Sequence, residues 1–426
     1  MKYRIHIIIL FSIFFYGYWN WNYILLPLIL TLLTYLCTNF IMSSEKRMNR
    51  RNLLISITLI LLPLIYFKYF NFILNIKLVD FPLPLGISFI TFTLIAYIVD
   101  VYKKNVAIEM NFSVLFAYIM YYPQLIAGPI LRPQELIPQL KSIGKATSNM
   151  KIFAIIIFSI GLAKKIIFAD QLAQYVDPTY LKPLESTFSQ WLVTFYAFPV
   201  QLYCDFSGYT DMAIGLALFF GVKLPINFNR PYLTTSIPDF WRNWHISLSN
   251  WIRDYAYFPL GNIVKNIYIR SLIIMTLVGL WHGASWTMVV FGFIHGVLVS
   301  ISNLFRIKKI DNFLPIQLKI FLTFNIFSIT LIFFRATDMN NAFEMFKVIT
   351  LFDSFDFLNF QLLIYPIFLI IIFFFSHKYD NINILEKFVE KTKLVYLSLF
   401  ISFIWILSIV ISLSNSGSNK FIYFDF

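Results

Sequence analysis

Long apolar runs, separated by short polar and charged clusters, recur along the whole chain. A helix needs about 20 mostly apolar residues to cross the hydrocarbon core of a membrane. The candidate spans are 5–19, 23–42, 53–74, 84–101, 112–127, 152–169, 188–204, 209–222, 271–283, 286–303, 317–334, 362–376 and 395–413. Several are short and broken by Gly or Pro, which favours re-entrant or half-membrane helices that line a cavity. The pattern predicts an all-α polytopic membrane protein of about 11–13 membrane helices around a central cavity.

The composition supports a membrane protein and excludes several other classes. Of the 426 residues, 59% are hydrophobic and 13% are charged, against roughly 45–50% and 25% in soluble domains. One or two soluble cores could not bury so much apolar surface. A soluble enzyme, a disordered protein and a nucleic-acid-binding domain are therefore excluded, and the lipid bilayer is the expected surrounding. The net charge of +13 is interpreted as basic loops on the cytoplasmic side and not as a site for an anionic macromolecule.

The basic clusters also predict a topology. Lys2 and Arg4 precede the first span, and the clusters at 46–51 and 103–104 each follow two further spans. Because Lys and Arg gather in cytoplasmic loops, the amino terminus is predicted to be cytoplasmic. The first apolar run resembles a signal peptide, but no A-x-A-like site follows it and a second run begins at Tyr23. We therefore expect an uncleaved first span.

The remainder of the chain shows no obvious subdivision. A proline-rich stretch at 123–140 is predicted to be a re-entrant element, because the next basic residues require a return to the cytoplasmic side. No linker, low-complexity tract or internal repeat is evident. The sequence therefore predicts a single membrane domain over 1–426, with a catalytic core at about 84–300.

The first candidate site is the segment from Asp205 to Asp211, in which Ser207 and Gly208 lie between two carboxylates. Ionisable groups at membrane depth cost about 2.5–3.5 kcal/mol each on insertion scales and are by default functional candidates. Gly208 is expected to interrupt the helix, which would free backbone amides for a ligand. The alternative is that the two Asp residues cap helices at a membrane interface.

The second candidate site is a helix predicted over 236–255. Ser236 and Asp239 form a start that resembles a capping box. At helical spacing, one face carries Trp241, Trp244, Leu248, Trp251 and Tyr255, and a neighbouring stripe carries Arg242, His245, Ser249 and Arg253. Such a helix would lie at the membrane interface or form the rim of a cavity. A plain interfacial anchor is the alternative, although it does not explain the histidine.

The third candidate site is the segment 279–286, where His282 lies beside Trp281 in an otherwise uncharged run. Gly279 and Gly283 are four residues apart, a spacing that permits close helix packing. A neutral imidazole in a dry pocket is suited to act as a general base. A second histidine, His295, is predicted to form hydrogen bonds between helices.

Other catalytic chemistries find no support in the sequence. The five histidines lack ligand spacing, and neither H-E-x-x-H nor C-x-x-C occurs, so no metal site is predicted. Cys37 and Cys204 lie in apolar surroundings and are predicted to be small buried residues. The chain has no P-loop, which argues against ATP-driven transport.

Several motifs together resemble one known family. The matching segments are 84–89, 127–130, 205–215, 227–232, 239–249, 279–286, 333–336 and 421–426. They resemble the membrane-bound O-acyltransferase (MBOAT) family, and within it the bacterial branch similar to alginate O-acetyltransferases. The resemblance implies a catalytic His282, a second functional histidine at His245, and transfer of an acyl group to a hydroxyl from a donor on the cytoplasmic side.

The leading hypothesis is therefore transfer of acetyl from acetyl-CoA, used as a substrate with no bound cofactor, to a cell-envelope glycan. The glycan would be an alginate-like exopolysaccharide or peptidoglycan, and the location a bacterial cytoplasmic (inner) membrane. The resemblance also implies an extracytoplasmic esterase-like acetyltransferase partner. Residues expected to bind substrate or donor are Asp205, Ser207, Asp211, Trp241, Arg242, Ser249, Arg253 and Trp281. The alternatives are transfer of D-alanyl or another acyl group, a glycan or acyl transporter, and an anchoring subunit.

Overall fold

The computed structural model describes residues 2–42, 50–75, 82–307, 314–350, 357–414 and 421–422. Within these ranges almost all regular structure is helical, and an isolated bridge between Phe228 and Trp244 is the β-type pairing recorded there. The all-α prediction is confirmed. The backbone groups into two compact units, Met1–Ile155 with Ala213–Pro225 and Ile156–Met212 with Ile226–Phe426. A single catalytic domain over 1–426 remains a prediction about function.

The first unit is built from apolar helices and short connections. Its helices are α1 (Lys2–Trp19), α2 (Leu25–Met42), α3 (Arg50–Leu64), α4 (Phe70–Leu74), α5 (Ile87–Tyr102), α6 (Phe112–Ile119) and α7 (Pro133–Lys141). The predicted span 112–127 is wrong in length, because α6 ends at Ile119. The side-chain amide of Gln124 donates to the Tyr118 carbonyl at 3.1 Å, and Pro123 lacks the N–H needed to continue the helix.

The second unit contains most of the remaining helices. They are α8 (Ser148–Ala163), α9 (Asp170–Leu181), α10 (Phe188–Phe219), α11 (Ile237–Asn243), α12 (Ile246–Ile252), α13 (Phe258–Leu260), α14 (Ile267–His282), α15 (Trp286–Ile307), α16 (Ile316–Arg335), α17 (Met339–Val348), α18 (Phe357–His377), α19 (Ile382–Lys391) and α20 (Leu394–Ser414). A π-helical turn, Lys164–Ala169, joins α8 to α9. The chain segments of α8 before Ile156 and of α10 after Met212 belong to the first unit.

Several helices have the length and composition of membrane spans. Among the described residues, 6 helical segments are long and apolar enough to cross a membrane, or 7 if the bent pair Leu363–His377 and Ile382–Lys391 is one span. Three shorter apolar helices, Tyr3–Trp19, Ile87–Tyr102 and Ile267–His282, add to them. The chain is thus a multi-pass membrane protein. Among the described residues, the 6 or 7 full-length spans are fewer than the 11–13 membrane helices predicted, because the predicted number also includes short and half-membrane helices.

The predicted helix break at Gly208 is wrong. Helix α10 runs without interruption from Phe188 to Phe219 and joins two spans that the sequence analysis had separated. Gly208 instead permits close packing, because a Cβ atom on it would lie 2.7 Å from the carbonyl oxygen of Gly161 in α8. The absence of a side chain at Gly208 lets α10 pack closely against the backbone of α8, and α10 itself is not interrupted there.

The predicted continuous helix over 236–255 is also wrong, although its start is confirmed. The Ser236 side chain accepts a hydrogen bond from Asp239 N at 3.3 Å, as the capping pattern predicts. The helix then ends at Asn243, and α12 begins at Ile246. Asn227 accepts hydrogen bonds from two backbone amides at the start of α12. Its carbonyl accepts from Ile246 N at 2.9 Å, and its side-chain oxygen accepts from Ser247 N at 3.1 Å. The predicted face of five residues is therefore divided: Trp241 lies on α11, Leu248 and Trp251 lie on α12, Trp244 lies between them and Tyr255 lies in the π-helical turn Arg253–Tyr257.

Candidate active site

His282 is the last residue of α14, at the turn that leads into α15. The extended Gly283 ends α14, and the Ser285 hydroxyl accepts from Met288 N at 3.3 Å in the first turn of α15. The break predicted between the candidate spans 271–283 and 286–303 is confirmed. Close packing of the two helices follows from their glycines, since a Cβ atom on Gly279 would lie 2.8 Å from the Cα of Gly292.

His245 and His282 come together around one aromatic side chain. The ring centroid of Trp281 lies 6.3 Å from that of His245 and 4.9 Å from that of His282. His245 is 0% exposed and His282 is 3% exposed. His245 lies outside the apolar helices long enough to span a membrane. Burial, and then the neighbouring His282, lowers the pKa of His245 well below its ordinary value. His245 is therefore a neutral imidazole at physiological pH.

His245 occupies an uncommon backbone conformation. It has φ 45° and ψ 55°, in the left-handed region that a residue with a branched or bulky side chain rarely adopts. Such a conformation costs on the order of 1–3 kcal/mol and persists only where the surroundings enforce it. Here it is enforced by the hydrogen bonds that Ile246 N and Ser247 N donate to Asn227. The ring of Phe206 also packs edge-on against the imidazole, with a centroid separation of 4.7 Å.

A cavity of about 410 Å³ lies at the turn that follows His282. Gly283, Ala284 and Ser285 form part of its wall. The rest of the lining is Ala173, Asp177, Gln201, Thr287, Met288, Phe334, Arg335, Ala336, Thr337 and Ile422. Gln201 is buried, and its Oε1 has no hydrogen-bond partner among the described residues. The cavity thus combines polar groups with the residues next to the candidate base, as a binding pocket does.

The predicted ligand-binding carboxylates Asp205 and Asp211 each form an ion pair with a lysine of the π-helical turn. Lys165 Nζ lies 2.7 Å from Asp205 Oδ1 and 2.9 Å from Asp170 Oδ1. Lys164 Nζ lies 2.7 Å from Asp211 Oδ2. A buried charge requires such pairing to offset the loss of its hydration. The structure therefore shows an ion-pair role for both aspartates, and their predicted contact with substrate remains a prediction.

Four members of this ion-pair network were missed by the sequence analysis: Lys164, Lys165, Asp170 and Asp380. Lys164 also contacts Asp380 Oδ2 at 2.7 Å, and the Tyr203 hydroxyl donates to the same carboxylate at 2.6 Å. The sequence does indicate the two lysines as functional candidates, because Lys164 and Lys165 are adjacent charges inside a long apolar segment. Asp380 has no comparable signal, since it lies in the short polar turn between α18 and α19.

His295 forms hydrogen bonds between helices, as predicted. Trp241 Nε1 donates to its Nδ1 at 3.2 Å, and its Nε2 lies 2.9 Å from Thr330 Oγ1. Since Nδ1 accepts, Nε2 carries the proton and donates to Thr330, whose hydroxyl donates in turn to the Phe327 carbonyl at 2.6 Å. This chain links α11, α15 and α16. It also occupies the indole N–H of Trp241, a predicted ligand-binding residue.

The other predicted binding residues lie in different surroundings. Ser207 is buried, and its hydroxyl has no hydrogen-bond partner among the described residues. The Ser249 hydroxyl donates to the Trp241 carbonyl at 2.9 Å. Arg242 and Arg253 are exposed, and Arg253 makes two hydrogen bonds to Asp254 at 2.7 and 3.0 Å. The sequence predicts that Arg242, His245, Ser249 and Arg253 share one stripe. In the structure the two arginines are exposed, whereas His245 is buried.

Comparison with known proteins identifies the class of enzyme to which this fold and site belong. The chain is an O-acyltransferase of the multi-pass membrane type, since the sequence profile of that family matches residues 13–334. It belongs to the membrane-bound O-acyltransferase family.

Curated relatives cover most of the chain. A peptidoglycan O-acetyltransferase of Helicobacter pylori is 36% identical over 386 residues, covering 80% of this chain and 72% of the relative. A probable alginate O-acetylase of Pseudomonas aeruginosa is 35% identical over 373 residues, covering 83% and 71%. A teichoic acid D-alanyltransferase of Streptococcus thermophilus is 29% identical over 245 residues, covering 53% and 58%.

Proposed function

We propose that the chain transfers an acetyl group from acetyl-CoA to a hydroxyl of a cell-envelope polysaccharide, with His282 as the general base. The observation that carries the proposal is the buried His282 beside His245, at the turn that forms one wall of the 410 Å³ cavity. The names of the relatives from Helicobacter and Pseudomonas support an acetyl group and a polysaccharide acceptor.

In the proposed reaction, His282 takes the proton of the attacking hydroxyl, and the hydroxyl oxygen forms a bond to the thioester carbonyl carbon. The C–S bond then breaks, and the departing CoA sulfur receives the proton. General-base help of this kind contributes typically about 10²–10⁴-fold. His245 and Trp281 hold the imidazole in place. Gly283 N and Ser285 N already donate to backbone carbonyls. The Ala284 amide, together with the first turn of α15, is therefore the group suited to stabilise the developing oxyanion.

The proposal also assigns partners and a location. The enzyme would lie in a bacterial cytoplasmic (inner) membrane with a cytoplasmic amino terminus, and would receive acetyl-CoA from the cytoplasm. Arg242 and Arg253 are exposed, which suits them to contact the CoA phosphates. An extracytoplasmic esterase-like partner would act with the enzyme in acetylating the glycan.

The test uses the purified protein in detergent with acetyl-labelled CoA and either peptidoglycan fragments or alginate oligosaccharides. Release of CoA with label on the acceptor would support the proposal. Reaction only with a D-alanyl carrier protein would favour transfer of D-alanyl in place of acetyl, as in the name of the Streptococcus relative. Movement of unmodified glycan across proteoliposomes without acylation would overturn the enzymatic proposal in favour of a transporter.

A further inference from the structure

One carboxylate of the ion-pair network also binds the carboxyl-terminal segment. Asp205 accepts a hydrogen bond from Lys165 Nζ on its Oδ1 at 2.7 Å and another from Ile422 N on its Oδ2 at 2.8 Å. Asp205 is 2% exposed, so its second oxygen is satisfied by a main-chain amide from a distant part of the sequence. A hydrogen bond to a charged acceptor contributes more to stability than a neutral one.

The preceding residue, Phe421, is held by two further contacts. Lys165 Nζ lies 4.3 Å from the centroid of its ring, within the range of a cation–π interaction. Tyr209, one turn of α10 beyond Asp205, packs edge-on against the same ring with a centroid separation of 5.0 Å. Lys165 and Asp205 therefore both act on the segment Phe421–Ile422, one through the ring and one through the backbone.

The held segment reaches the cavity beside His282. Ile422 is one of the residues that line this cavity, together with Gln201 of α10 and the turn Gly283–Ser285. Gln201 and Asp205 lie four residues apart and hence one turn apart on α10. The residue that anchors the segment and a residue that lines the cavity are therefore carried by the same stretch of helix.

We propose that Asp205 and Lys165 are positioning residues that hold Phe421–Ile422 as part of the cavity wall beside His282. The role of that cavity in acyl transfer rests on the proposed function. In this proposal the Asp205–Lys165 ion pair neutralises two buried charges and also holds a second segment of the chain.

The first test measures how well Ile422 is protected. Ile422→Cys is introduced, and its rate of reaction with a maleimide is measured in detergent, because both native cysteines, Cys37 and Cys204, are buried. Removing a hydrogen bond to a charged group is expected to raise the rate about tenfold in the Asp205→Ala background. Lys165→Met is expected to raise it as well. Asp205→Asn keeps an acceptor oxygen and is expected to give a smaller increase.

The matched control is Glu185→Gln, which removes a carboxylate from the exposed ion pair with Lys182. It is expected to leave the labelling rate unchanged. Size-exclusion elution establishes which variants are folded, and Asp205→Asn with Lys165→Met decide the result if Asp205→Ala does not fold. Equal labelling rates in wild-type, Asp205 and Lys165 backgrounds would overturn the proposal.

The second test asks whether Asp205 acts through the segment. Acetyl transfer is compared among Asp205→Ala, a deletion of 421–426, and the two combined. If Asp205 works by seating this segment, the combined variant loses no more activity than the deletion alone. Losses that multiply would overturn the positioning role. If the wild-type protein transfers no acetyl group, the proposed function fails, while the labelling experiment still decides whether Asp205 and Lys165 hold the segment.

Discussion

His245 and His282 contact the same indole ring, that of Trp281, with centroid separations of 6.3 and 4.9 Å. The two histidines differ in what surrounds them. His282 adjoins the turn that lines the cavity, whereas His245 lies at a strained backbone position between two short helices. This difference assigns proton transfer to His282 and a supporting role to His245 in the proposed mechanism.

The neutral state of buried His245 predicts a pH-dependent stability. Its folded pKa is lowered, so the unfolded chain binds a proton more readily than the folded one. The contribution to stability is complete above the unfolded pKa of about 6.5 and is lost as the pH falls towards the folded pKa. His245→Asn, a residue that tolerates the left-handed conformation, should reduce this acid dependence by up to about 1.4 kcal/mol per pH unit.

The measurement for His245 is the free energy of unfolding in detergent at pH 7.5 and pH 5.5. The wild-type protein should lose more stability on acidification than His245→Asn. Identical losses in the two proteins would show that His245 binds its proton equally in the folded and unfolded states.

The hydrogen-bonded His295 should matter for stability more than for chemistry. His295→Ala leaves Trp241 Nε1 without its acceptor and removes the donor to Thr330. Each unsatisfied buried group costs about 1–3 kcal/mol, and the folded protein should keep at least about a tenth of its acetyl transfer. Thr330→Val is the milder companion variant. A loss of transfer as large as that expected for His282 variants would contradict this structural role.

Lys164 should be a strong determinant of stability. It contacts both Asp211 and Asp380, whose side chains are 24% and 26% exposed, so Lys164→Met leaves two half-buried carboxylates without their cation. Removing one partner of a fully buried pair costs about 3–5 kcal/mol, and the loss here is expected at or below the lower end of that range. Lys182→Met, which breaks an exposed pair with Glu185, should cost less than about 1 kcal/mol. Thermal unfolding in detergent compares the two variants, and equal midpoints would contradict the account of the network.

Gly208 should not accept a side chain. A Cβ atom there would lie 2.7 Å from the Gly161 carbonyl oxygen, a backbone atom, and overpacking of this kind costs typically about 1–3 kcal/mol. Gly17→Ala is a suitable control, since the added atom would meet the ring of Trp21 at 3.0 Å and a side chain can move aside. A Gly208→Ala protein as stable as the wild type would show that α8 and α10 can separate without cost.

The apolar pattern predicts the helices well, because each one must satisfy its backbone hydrogen bonds within the membrane. The start of α11 at Ser236, the break after His282 and the cross-helix role of His295 follow from local signals. The break at Gly208 was predicted wrongly, since a glycine that bends a helix and one that packs against a neighbour look alike in sequence. Only the position of Gly161 distinguishes the two.

The long-range part of the site could not be predicted from local pattern. The division between α11 and α12 depends on Asn227, which takes amides 19 and 20 residues further along the chain. The ion-pair partners of Asp205 and Asp211 lie on another helix, and Asp380 is 216 residues from Lys164. Such pairings depend on tertiary packing and cannot be predicted from the spacing of residues along the sequence.

The most direct test of the account is acetyl transfer by His282→Ala, measured as CoA release and acceptor labelling in a purified, folded protein. His295→Asn provides a second buried histidine variant as the control. The account predicts a loss of at least about 10²-fold for His282→Ala and a loss of less than tenfold for the control. Turnover by His282→Ala close to that of the wild type would contradict the assignment of His282 as the general base.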